Sequence, residues 1–92
     1  MIATERDNAL IEQHIRPDPL GRSVAEARLA EGPSVWAIIA YLRAVEGNLQ
    51  TVADDYELPL EAVEAAIAFY QRYQAYIDAR LLLNAAPEWP RN

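Results

Sequence analysis

Two short breaks inside one otherwise helical stretch limit what this chain can fold into. Residues 34–83 read as SVWAIIAYLRAVEG, then NLQTVADDYEL, then PLEAVEAAIAFYQRYQAYIDARLLL. The breaks fall at Gly47-Asn48 and Leu58-Pro59. Ser34 suits an N-cap, because its hydroxyl can accept from a free first-turn N–H. Gly47 suits the position past a helix end, where positive φ is needed, and Asn48 can cap the second helix. Pro59 loses nothing at a helix start, and Glu61 and Glu64 then meet the positive end of the helix dipole. Val52, small Ala53, Tyr56, Leu58, Val63 and Ile67 fall where two helices joined by a tight turn must meet. The expectation is an all-α fold: a homeodomain-like helix-turn-helix bundle with a long C-terminal helix.

The rest of the chain arranges itself around that core. Residues 4–15 predict an amphipathic helix, with Thr4 and Asp7 as a capping pair and Leu10, Ile11 and Ile15 as its apolar stripe. His14, the single histidine, reads as a packing or surface residue. Residues 16–33 form an irregular arm, broken by Pro17, Pro19 and Gly21. Within it, Ser23 and Glu26 cap a short helix through Leu29, or Val24 to Leu29 lie extended over the core. Residues 84–92, NAAPEWPRN, carry two prolines and read as a flexible tail. The whole is one domain of 92 residues, with a modest core.

The first core helix is uncharged from residue 35 to 42, so it is expected to be central or covered by another chain. Asp54, Asp55 and Glu57 read as a solvated acidic face within reach of Arg43. The third helix, counted as about 24 residues, would extend roughly 36 Å. Its two stripes, Val63, Ile67, Tyr70, Ile77, Leu81 and Ala66, Phe69, Tyr73, Tyr76, exceed what so small a body can bury. Homodimerisation through Trp36, Ile39, Tyr70 and Tyr73 is therefore expected.

Charge narrows the function. The net charge of −6 opposes binding to nucleic acid by general electrostatics. The presumed reading helix has two Glu and no basic residue from Pro59 to Gln71, so any DNA contact falls to Arg22, Arg28 and Arg43. With no cysteine, one histidine, two serines and no glycine-rich phosphate loop, no catalytic pair, metal site or cofactor cradle assembles. The polar start MIATERDN predicts no leader, and the longest apolar run is too short for a membrane span. A soluble cytoplasmic protein is expected.

The run VWAIIAYL, a glycine, VADDYELPLEAVEAAIAFY and IDARL, with ERDNALIEQHI and AEARL upstream, resembles the small bacterial proteins of domain-of-unknown-function family 433. The likeness covers nearly the whole chain. It implies a homeodomain-like helix-turn-helix and an antitoxin role beside a PIN-like ribonuclease toxin, in the manner of VapBC systems. The family's usual form has a Gly-Thr-Arg-Ile segment in a β-arm. Here Ala27-Arg28-Leu29 stands nearest to it, within GRSVAEARLAEGPSVW, which departs from that form. On this reading Tyr73, Tyr76, Arg80 and Leu81 dock the toxin. Trp89 fills an apolar pocket at the rim of its active site, and Arg91 reaches the carboxylates that hold its metal.

Overall fold

The computed structural model describes the backbone of residues 2–85 and the side chains of residues 5–84. Five helices and a small sheet come in the order α1 (Ile2–His14), β1 (Ile15–Arg16), a 3-10 turn (Val24–Glu26), β2 (Arg28–Leu29), α2 (Val35–Ala44), α3 (Leu49–Tyr56), α4 (Leu60–Arg72) and α5 (Gln74–Ala85). The fold is mostly helical, as expected. Trp89 and Arg91 lie outside the described residues.

Local chemistry sets the corners. Asn48 caps α3 by accepting from the Thr51 N–H at 3.1 Å. Gly47 has φ +81 and donates to the Leu42 carbonyl at 2.8 Å, closing the end of α2. Glu46 and Glu57 also adopt positive φ, a conformation that costs a residue with a Cβ about 1–2 kcal/mol. Glu57 does so at the end of α3, so the three-residue corner Glu57-Leu58-Pro59 turns the chain without a glycine. Ser34 occupies the N-cap position of α2, but its side chain makes no capping bond. The neighbouring Val35 N–H instead donates to the Ala27 carbonyl at 3.0 Å.

Neither form expected of the arm holds over its full length: the helical turn stops at Glu26 and only Arg28–Leu29 is a strand. Ser23 caps the 3-10 turn by accepting from the Ala25 N–H. The chain then straightens, and β2 pairs antiparallel with β1, Ile15 opposite Leu29 and Arg16 opposite Arg28. The all-α expectation thus gives way to a two-stranded ribbon. The Ala27-Arg28-Leu29 segment supplies one of its strands. Asp18 pins the preceding loop. Its carboxylate accepts from the Arg22 Nε at 2.7 Å, the Arg22 Nη2 at 3.1 Å and the Arg22 N–H at 2.9 Å.

The long third helix is corrected. It breaks at Tyr73, which has φ −123 and ψ 43, into α4 and α5. No glycine or proline lies there. Tyr73 instead wedges its ring between Phe69 and Tyr76, 4.8 and 6.5 Å away between centroids. Beyond the break Ile77 is fully buried and Leu81 packs against the core. α1 is also longer than expected: it runs from Ile2, so Thr4 lies inside it and not at its cap.

The most enclosed helix is α4, not α2. Ala62, Val63, Ala65, Ala66, Ala68 and Phe69 of α4 are all buried. α2 buries Val35, Ile38 and Ile39 and leaves Trp36, Tyr41 and Leu42 partly exposed. Burial of these side chains, each worth roughly 1.5–3 kcal/mol for the larger ones, holds the bundle.

Candidate functional site

Residues Ala75, Tyr76, Ala79, Leu82 and Leu83 recur at helical spacing on one side of α5. Ile77 and Leu81 face the opposite way, into the core. The outward side carries no charge. Tyr76 is 57% exposed, Leu82 74% and Leu83 68%. Exposed apolar side chains are unremarkable singly; a continuous stripe of them marks an interaction surface. A shallow groove of about 460 Å³ runs between this stripe and the 3-10 turn, bounded by Ala25, Glu26, Ala79, Arg80 and Leu83.

One wall of the groove is a layered contact. The Arg80 guanidinium lies over the Trp36 ring, 4.2 Å from its centre, and its Nε donates to Glu26 at 2.9 Å. Trp36 is thus covered within its own chain. Arg80 is two-thirds shielded or more and has a fixed direction. Of the expected docking residues, Tyr76 and Arg80 meet at this groove. Tyr73 lies at the bend and Leu81 mostly faces inward.

The expected dimer set disperses. Ile39 is 3% exposed and belongs to the core, so it is closed to a second chain. Tyr70 is held by Asp78, to which its hydroxyl donates at 2.8 Å, and by Arg43, whose Nη2 donates to it at 2.8 Å. Burial and the Asp78 bond raise the Tyr70 pKa. The expected pairing of Arg43 with the acidic end of α3 does not occur; Asp55 instead accepts from the Tyr41 hydroxyl.

The DNA candidates do not form one patch. Arg22 is bound by Asp18 and Arg43 by Asp78. Arg28 lies beside Ser34 at the start of α2, about 14 Å along that helix from Arg43. One side of α4 is packed against α1. Glu64, Ala65, Ala68 and Arg72 share one side of α4. Glu64 accepts from Arg6 at 2.7 Å and Arg72 donates to Asn8 at 2.6 Å. Both partners belong to α1, which therefore lies across that side, and Ala65 is fully buried.

His14 is buried, with Nδ1 3.0 Å from Glu31. An apolar cavity of about 400 Å³ lies under the 17–23 loop, lined by Ile11, Ile15, Val24, Ala27 and Phe69. The Asp18 carboxylate at its rim is already occupied by Arg22 and Leu20. Among the described residues no three His, Asp or Glu side chains gather as metal ligands, and no helix is long and apolar enough to cross a membrane.

The outward residues Ala75, Ala79, Leu82 and Leu83 escape a sequence reading. Their spacing of four, seven and eight is regular, but the bend at Tyr73 decides which side of α5 faces out. The chain matches no family model, no curated protein and no solved structure.

Proposed function

We propose that this chain acts by holding a partner protein on the outer side of α5, as an antitoxin that binds and neutralises a PIN-like ribonuclease. The observation that carries the reading is the uncharged stripe of Tyr76, Ala79, Leu82 and Leu83 beside the fixed Arg80. Tyr and Arg are the side chains enriched at binding hot spots. The covered face of α4 favours a protein partner over DNA. The nuclease identity of the partner rests on the likeness of VWAIIAYL and VADDYELPLEAVEAAIAFY to family 433. In this reading Trp89 and Arg91 complete the inhibition, the guanidinium engaging the nuclease carboxylates by charge-assisted bonds, and the pair works in the cytoplasm.

The test is co-purification with the ribonuclease encoded beside it, followed by an RNA-cleavage assay. Tyr76→Ala is expected to weaken binding by about 2 kcal/mol, as for a hot spot, and Leu82→Glu to release the nuclease. Removing residues 87–92 is expected to restore cleavage in part. A Leu82→Glu variant that silences the enzyme as well as the unaltered chain would sink the reading.

A second reading is favoured by one observation. Ala53 of α3 is buried, and α3 and α4 are joined by the three-residue corner, a connection of the length used by a helix-turn-helix. A transcriptional regulator built on it would need α1 to leave α4.

A further inference from the structure

The ribbon sets Arg16 directly opposite Arg28, and an isolated bridge sets Arg28 opposite Ser34. Residues paired this way project from the same face, about 5 Å apart. Arg16, Arg28 and Ser34 therefore form one row. Like charges placed opposite each other destabilise a ribbon, so packing does not account for the pair.

The charge inventory sharpens the point. The chain has eight basic residues against fourteen acidic ones. Arg6, Arg22, Arg43 and Arg80 each meet a carboxylate. Among the described residues Arg16, Arg28 and Arg72 meet none, although all three are exposed; Arg72 is engaged by the Asn8 side chain, which leaves Arg16 and Arg28. Each is instead tethered by Nη1 to backbone oxygen. Arg16 donates to the carbonyls of Glu12 at 3.3 Å and Ile15 at 3.1 Å. Arg28 donates to the carbonyl of Gly32 at 2.8 Å. The tether aims each guanidinium and leaves its Nε and Nη2 without a partner among the described residues. That edge is the fork that grips an oxyanion through two bonds. The Ser34 hydroxyl, unused as a cap, extends the row.

We propose that Arg16, Arg28 and Ser34 form a contact for consecutive backbone phosphates of a nucleic acid. Donors in line match charges repeated along a strand, whereas a single carboxylate would occupy one fork only. Antiparallel ribbons are a known way of approaching a duplex. The contact is blind to base sequence, because phosphates carry no base information. It replaces Arg22 and Arg43, whose charges are spent internally. It stands apart from the α5 surface, so each reading fails or holds without the other.

The experiment is fluorescence anisotropy of a short labelled DNA duplex titrated with the full chain over a salt series. The expected result is weak binding at low salt that disappears as salt rises. Arg16→Ala with Arg28→Ala is expected to lose about tenfold at low salt and to flatten the slope of log K against log salt by about 1.8, the loss of two phosphate contacts. Arg16→Lys with Arg28→Lys keeps the slope but binds several-fold more weakly, since an ammonium lacks the fork. This pair also keeps the test decisive should the alanine pair fail to fold. Arg43→Ala leaves affinity and slope unchanged. The proposal is overturned by absence of binding at low salt, by an alanine pair that binds like the unaltered chain, or by an equal loss in Arg43→Ala. Displacement of the duplex by polyglutamate as readily as by polyphosphate would overturn it too, and would assign the row to an acidic protein.

Discussion

Asp18 shows how much one side chain can organise. Three bonds from Arg22 and one from the Leu20 N–H hold its carboxyl well below the usual aspartate range. The Arg22 side-chain bonds act first and its N–H second. Because the folded value lies below the ordinary 3.8, the clamp stabilises fully above that pH. Its contribution is lost as pH falls below that value towards the folded one. Asp18→Asn is therefore expected to lower Tm at neutral pH and to flatten the acid limb of a thermal-melt series. An unchanged acid limb would contradict this. In the sequence, Asp18 looks like one more polar residue between two prolines, and nothing in its neighbours announces burial. Glu46 and Glu57 are hidden for a similar reason, since left-handed backbone is signalled by glycine or asparagine and not by glutamate. Gly47, Asn48 and Pro59 are legible because each acts on its own backbone.

At the scale of elements, the bend at Tyr73 divides what sequence can and cannot say. Helical periodicity runs unbroken from Leu60 to Leu83, and nothing in it marks the break at Tyr73. Ile77 of α5 is fully buried, so Ile77→Ala is expected to cost about 2–4 kcal/mol in urea denaturation. A loss under about 0.5 kcal/mol, the range of surface substitutions, would contradict that burial. The ribbon is half-legible. Its strands are two residues each, too short for an alternating pattern, and only the pairing of Ile15 with Leu29 makes them strands. The Arg16–Arg28 row is invisible until that register is known.

For the whole molecule, the surplus apolar surface expected from the sequence shrinks to one side of α5. Trp36, Ile39 and Tyr70 are satisfied within the chain by Arg80, the core and Asp78. Self-association is still an expected property, but through Leu82 and Leu83, in competition with the partner protein for the same side of α5. Sedimentation at micromolar concentration should show a dimer that Leu83→Glu disperses, with Tm falling to the value of the monomer. A monomer at that concentration would remove the homodimer from the account.

The contact between α1 and α4 joins segments far apart along the chain. Arg6 and its partner Glu64 stand 58 residues apart, so α1 leaves the ribosome well before the helix it packs against. The older helix can dock only when the younger arrives. Until then the Leu10 and Ile11 stripe of α1 stays open to solvent and to chaperones. A stalled or truncated product ending before residue 60 would expose that stripe permanently, which makes α1 a natural mark of an unfinished copy.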